Sequence, residues 1–177
     1  MRLAFLYGPP AAGKLTIAEK LATRTGLKIL QNNLTNKAIT GVFPFGSPSF
    51  NRINDDLRIA IIGEAAEMHV DLVFTFVYAH GLDDAFIQRV IDAVGDSGSI
   101  LFVQLRCPRD VLIKRISNYS RKAHPKLTDR KVLLRLFETH DLETPIPFVD
   151  SLTLDTSLMD PEECVGRILQ ALQEIGP

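Results

Sequence analysis

Arg2-Leu3-Ala4-Phe5-Leu6-Tyr7-Gly8-Pro9-Pro10-Ala11-Ala12-Gly13-Lys14, residues 2–14, decides how the rest of the chain reads. The first six residues are a short, almost continuously apolar run, as expected of a strand covered on both faces. Gly8 to Lys14 follows at once as GxxxxGK, and a helical pattern starts at Lys14. Strand, glycine-rich turn and helix in that order form a loop that cradles phosphate. Glycine lets the backbone curl closely enough to point several N–H donors inward, and the helix N-terminus adds partial positive charge. Lys14 adds a mobile point charge for the outer phosphates. A dinucleotide turn is disfavoured, because four residues separate Gly8 from Gly13 and no GxGxxG occurs.

Working outward, four more apolar runs follow: Leu27–Leu30, Asp71–Tyr78, Ser99–Leu105 and Leu152–Asp155. Between them lie helical patterns with good punctuation. Ile17, Ala18, Leu21 and Ala22 share one face of a helix that stops at Gly26. Asp83-Asp84 precede Phe86, Ile87, Val90, Ile91 and Val94, with Gly95 as the stop. Asp160-Pro161-Glu162-Glu163 combines a capping Asp, a proline at the first helical position and two acids facing the positive helix end. Alternating strands and helices predict a single α/β domain over 1–177, a three-layer α/β/α sandwich around a parallel sheet.

The chain has 177 residues, 46% of them hydrophobic, enough for one sizeable core. Its net charge is −1, and two cysteines are too few for a disulfide scaffold or a four-ligand zinc site. The opening run is too short for a leader or a membrane span, so a cytoplasmic enzyme or binding domain is expected. The four histidines lack metal-ligand spacing, and no metal-binding residue is assigned.

Residues 8–30, GPPAAGKLTIAEKLATRTGLKIL, resemble the opening of adenylate kinase and related nucleoside monophosphate kinases. More widely the chain is similar to the P-loop small-molecule kinases, a group that includes shikimate and gluconate kinases. The resemblance implies a P-loop nucleoside triphosphate hydrolase fold with a five-stranded sheet in the order 2-3-1-4-5. It implies ATP and Mg²⁺ as cofactors and transfer of the γ-phosphoryl of ATP to a small molecule. Cofactor binding then falls to Gly8, Pro9, Pro10, Ala11, Ala12, Gly13, Lys14, Leu15 and Thr16, with Thr16 matching a threonine that contacts the α-phosphate. Leu15 stands where many P-loops place a metal-binding hydroxyl, which leucine cannot replace; adenylate kinases also lack that hydroxyl.

Residues 106–135 carry ten basic side chains against Asp110 and Asp129, a local charge of +8 that leaves −9 on the rest of the chain. Such a field attracts phosphate. Cys107–Arg115 resembles the helix that leads into the lid of P-loop kinases, which implies a basic lid near 116–127. By that match Arg115 lies against the adenine or phosphates and Arg121 reaches the transferring phosphoryl, joining Lys14 as catalytic residues. Lys131 and Arg135 read as a solvated helix face. Asp155 and Thr156 resemble the turn that holds the adenine edge. Tyr119 alone interleaves with the basic residues, so a stacking platform for nucleic acid is missing.

On the acceptor side, near 32–68, hydroxyl-phosphorylating members of the group commonly place an Asp after the second strand. Here Gln31-Asn32-Asn33 stands there, and an amide can hold a hydroxyl but cannot take its proton at neutral pH. Either the acceptor is already an anion, or the base lies elsewhere, with Asp55, Asp56 and His80 as candidates. Val77-Tyr78-Ala79-His80 replaces the Asp-Gly-Phe-Pro-Arg usual in nucleoside monophosphate kinases, against that acceptor class. Substrate contacts are expected from Asn32, Asn33, Phe45, Arg58 and His80, with Phe43 and Phe50 as further pocket walls. Arg52 and Arg58 lie about 240° apart around their helix, so one faces the pocket, and Arg58 is favoured as a clamp on an acidic group. The competing readings are a nucleoside monophosphate kinase, a nucleotide-binding protein without phosphotransfer, and an RNA-associated protein that uses the basic segment.

Overall fold

The computed structural model describes residues 1–116 and 129–176. Its five strands are β1 (Arg2–Tyr7), β2 (Lys28–Gln31), β3 (Leu72–Phe76), β4 (Ser99–Arg106) and β5 (Ser151–Asp155). Its helices are α1 (Lys14–Thr25), α2 (Asn32–Thr40), α3 (Pro48–Glu67), α4 (Asp84–Val94), α5 (Arg109–Ile116), α6 (Arg130–Thr139) and α7 (Pro161–Glu174). All strand pairs are parallel, in the order β2-β3-β1-β4-β5. β1 is central, with Tyr7 level with Phe76 of β3 and Gln104 of β4.

The period of two along β1 explains why its whole length is apolar. Ala4 and Leu6 pack with Ile17, Ala18 and Leu21 of α1 and Val165, Ile168 and Leu172 of α7. Leu3, Phe5 and Tyr7 face the opposite layer, with Ile62 and Ala66 of α3 and Phe86, Ile87 and Val90 of α4. Phe5 anchors that second layer, its ring centroid 5.2 Å from those of Phe74 and Phe102 on the two neighbouring strands. The parallel sheet is covered on both faces, and its ends carry the polar loops. Among the described residues no helix is long and apolar enough to cross a membrane.

Strand ends differ from the sequence reading by one or two residues. β3 is shorter than the run 71–78, because Asp71 turns its carboxylate to Arg2, accepting from the backbone N and Nη2, both at 2.6 Å. Val77 and Tyr78 have already left the ladder at the other end. α2 is an addition. The chain enters it directly from Gln31, whose side chain makes no cap.

The start of α7 is the one expected. Asp160 accepts from the amides of Glu162 and Glu163 at 2.7 and 2.9 Å, and Glu163 Oε2 accepts from Asp160 N at 2.8 Å. Asp160→Ala is expected to lower stability by about 1 kcal/mol, read as a drop in the urea midpoint at unchanged m-value. An unchanged midpoint would contradict that role. Asp83, by contrast, does not cap α4: it sits at the N-cap position but makes no capping bond there.

Candidate active site

The loop between β1 and α1 is shaped by its two glycines. Gly8 has φ +138°, and a Cβ on it would lie 2.3 Å from the carbonyl oxygen of Leu105, so the loop rests directly on the backbone of β4. Gly13 has φ +96° and a Cβ there would meet nothing within 4 Å, which leaves the approach to the following amides open. Ala11 takes a left-handed φ of 70° that its small side chain tolerates. Pro9, Ala11 and Ala12 are buried as the back of the loop, whereas Thr16 is exposed on the first turn of α1. The first α1 bond runs from Ile17 N to Gly13 O at 3.1 Å, so the amides of Lys14, Leu15 and Thr16 are the donors a helix N-terminus leaves outward. No acidic residue stands in that first turn to oppose an anion. Lys14 arches back over the loop and donates from Nζ to the carbonyls of Gly8 at 2.6 Å and Pro9 at 2.8 Å.

This cradle fits the phosphates of a nucleotide: convergent amides, a helix dipole and a cation held in place. For Mg²⁺ the side chains offer less. Leu15 has no ligand atom, and among the described residues no three His, Cys, Asp or Glu side chains gather as a metal site. A nucleotide-bound ion would therefore be held by phosphate and water oxygens.

Beyond the loop, a cleft of about 260 Å³ runs from Pro9 along Gln104, Arg106 and Cys107 to Asp155. At its edge Arg115 donates to Thr156 Oγ1 at 3.0 Å and to its carbonyl at 2.6 Å, and Thr156 N is held by Arg106 O at 2.9 Å. Asp155 accepts from Ser157 N and Oγ at 2.8 and 2.6 Å, bonds that hold its carboxyl below the usual range. Arg115, Asp155 and Thr156 are thus brought together next to the cleft. Arg121 and the rest of the expected lid from 117 to 127 lie outside the described residues.

The opposite side of the loop, at the C-terminal ends of β2 and β3, holds a polar cluster between α2 and α3. Arg58 is only 4% exposed, whereas the Arg52 side chain is 69% exposed and lies 3.9 Å from Asp56. Arg58 donates from Nε to Thr35 Oγ1 at 3.0 Å, from Nη1 to Asp55 Oδ1 at 3.2 Å, and from Nη2 to Asn36 Oδ1 at 2.8 Å and to Asn32 Oδ1. Asn54 Nδ2 also donates to Asn36 Oδ1 at 2.7 Å. The rings of Phe76 and Phe86 lie 5.5 and 5.9 Å from the guanidinium carbon. Burial lowers the Arg58 pKa to about 10, with Asp55 and Asp83 pulling it back up, and the group stays charged at neutral pH.

These contacts refine the expected clamp. Four of the five N–H bonds of Arg58 already go to protein oxygens. The guanidinium therefore acts first as a support: it takes the amide oxygens of Asn32 and Asn36, turning their Nδ2 donors the other way. Arg58→Met is expected to cost about 2 kcal/mol in thermal unfolding, because it strands several oxygens and the Asp55 carboxylate. A loss below about 0.5 kcal/mol would show that the network is not needed.

Phe45 differs from its expected place as a pocket wall. It is 72% exposed and packs its ring 4.9 Å from Phe50, which is itself buried at the start of α3. Phe43 is half-buried and Asn33 partly exposed next to Asn32. His80 is exposed and anchors by its backbone N to Asp141 O at 2.8 Å. Sequence reasoning missed Thr35 and Asn36, which one turn of α2 places beside Asn32, and Asp83 and His140, which only the tertiary fold brings near each other.

Neither a protein-family model nor a curated protein matches the sequence. Solved structures do. An unliganded sugar kinase from Janibacter sp. HTCC2649 superposes with a TM-score of 0.71 at 20% identity, covering 100% of this chain and 96% of that one. A gluconokinase from Sinorhizobium meliloti 1021 gives 0.67 at 17%, covering 98% and 91%. A shikimate kinase from Acinetobacter baumannii, in complex with shikimate, gives 0.59 at 20%, covering 97% and 93%. The fold is that of the P-loop small-molecule kinases. In this fold the glycine-rich loop after β1 and the Arg58 cluster both lie at the C-terminal ends of the strands.

Proposed function

We propose that the chain is an ATP-dependent phosphotransferase that moves the γ-phosphoryl of ATP, with Mg²⁺, to a small molecule. The observation that carries this reading is the loop itself: Gly8 pressed onto β4, Gly13 open, and Lys14 drawn over the Gly8 and Pro9 carbonyls at 2.6 and 2.8 Å. Bound there, the triphosphate meets amides and an ammonium whose placement needs little reorganisation as negative charge spreads during transfer. Arg115 with Asp155 and Thr156 supports the nucleoside side, and Asn32 with Asn33 and His80 the acceptor side. The kinases with this fold named above act on sugars, gluconate and shikimate, which favours a hydroxylated metabolite over a nucleotide acceptor.

A thermal-shift titration with ATP and Mg²⁺, followed by ADP release in a coupled assay over a metabolite panel, tests the proposal. ATP should raise Tm in a concentration-dependent way, since a ligand of the native state alone stabilises it by mass action. No shift at millimolar ATP would sink the assignment. A shift without ADP release under any acceptor would favour a nucleotide-binding protein without phosphotransfer.

A further inference from the structure

The carboxylates on the acceptor side sort by what already holds them. Asp56 is exposed and paired with Arg89 at 2.7 Å. Asp55 is taken by Arg58 at 3.2 Å. Asp84 accepts from the Tyr78 hydroxyl at 2.5 Å and from Gly81 N at 3.2 Å. Asp83 is different. It occupies an N-cap position, where an aspartate ordinarily bonds the second or third helical amide, yet it makes no such bond. Its side chain turns back instead, Oδ2 accepting from Ala79 N at 2.7 Å, and among the described residues no donor bonds Oδ1.

Asp83 lies on the connection between β3 and α4. Ala79, which holds it, lies just beyond β3, the strand paired with β1 at Phe76 and Tyr7, so its loop and the glycine-rich loop leave the sheet at the same end. Phe86, three residues after Asp83, has its ring 5.9 Å from the Arg58 guanidinium carbon. From α3, Asp55 and Arg58 act on it, and from beyond α6, His140. Burial raises its carboxyl to about 6; the Ala79 amide, Arg58 and His140 pull it down, and Asp55 pushes it up. The group is therefore ionised at neutral pH yet basic enough to hold a proton, as general-base work requires.

Resting on the kinase reading above, we propose that Asp83 is the general base of the transfer and that the acceptor is an alcohol. The acceptor O–H bond breaks with its proton passing to Asp83 Oδ1, and the oxygen's electron pair forms the new bond to the γ-phosphorus. The bond from that phosphorus to the β,γ-bridging oxygen breaks, its pair leaving with ADP, and Asp83 returns the proton to water before the next turnover. An acceptor that is already a phosphate or carboxylate needs no base.

Water, itself a hydroxyl acceptor, makes the test independent of the natural substrate. ADP release without added acceptor is followed from pH 5 to 8.5, with ATP affinity measured by calorimetry. The wild-type rate should climb through about pH 6 as the carboxylate forms. Asp83→Asn, which keeps an oxygen for the Ala79 amide, should be about a hundredfold slower at pH 7.5, lose that limb, and bind ATP within twofold of wild type. Asp84→Asn should keep both the rate and the limb. A folded Asp83→Asn protein with wild-type rate and limb overturns the proposal while leaving ATP binding, and the kinase reading, in place. Carbon-13 NMR of the wild-type carboxyls needs no variant: an Asp83 that titrates near 4 also overturns it. AMP as the sole acceptor that accelerates ADP release would do the same, and a wild type that neither binds ATP nor releases ADP removes both readings together.

Discussion

Lys14→Ala is expected to lower kcat/KM for ADP release by about a thousandfold, with ATP binding weakened in parallel. The Lys14 ammonium lies within 2.8 Å of two loop carbonyls, so its charge is already fixed at the mouth of the cradle before any phosphate arrives. Phosphoryl transfer depends chiefly on positioning and on stabilising charge that spreads over the transferring group, and removing a fixed cation removes that stabilisation directly. Lys14 is half-buried and lies outside the two apolar clusters, so the variant should unfold close to the wild-type temperature. A Lys14→Ala protein with wild-type turnover would refute the assignment of the loop.

Gly8→Ala carries the second large effect, on stability. The new methyl would fall 2.3 Å from the Leu105 carbonyl oxygen, a backbone atom of a central strand with no freedom to yield, and φ +138° is itself strained for any L-residue. Strain and overpacking together should cost on the order of 4 kcal/mol, lowering Tm by roughly 10 °C or more if the loop does not move aside. Gly13→Ala separates the two causes. It keeps an unfavourable φ of +96° but meets no atom within 4 Å, so its cost should be much smaller in the same unfolding experiment. Equal losses for the two variants would show that the close approach to β4 is not what requires glycine at position 8.

The fold could be read from the sequence because its signals are local and agree with one another. β1 and α1 have the bounds the apolar run and Gly26 predict, and the Asp160 capping box forms atom for atom. Burial of the sheet on both faces gives strands without alternation, which distinguishes parallel from half-exposed antiparallel pairing. The order 2-3-1-4-5 came from the family resemblance, and the sheet has it.

The acceptor side was less legible, for physical reasons. α2 begins straight from β2 without a cap or an acidic first turn, so no punctuation announced it. Once α2 is granted, Asn32, Thr35 and Asn36 at spacings of three and four fall on one face, a signal that was present but had no helix to sit on. Arg58 could be separated from Arg52 by helical geometry alone, but its four oxygen partners come from residues 3 to 26 positions away. Asp83 occupies the N-cap position of α4 without making the capping bond. Its turn back to Ala79 depends on the path of the chain after β3, which periodicity does not encode.

Titration of isotopically labelled protein with a non-hydrolysable ATP analogue and Mg²⁺, followed by amide NMR, decides whether the glycine-rich loop binds nucleotide. Saturable shifts are expected at the backbone amides between Gly8 and Thr16, extending to Arg115 and Asp155–Ser157, and should disappear in Lys14→Ala at the same concentrations. Saturable shifts confined to other parts of the chain, with the amides after Gly13 unmoved, would contradict binding there.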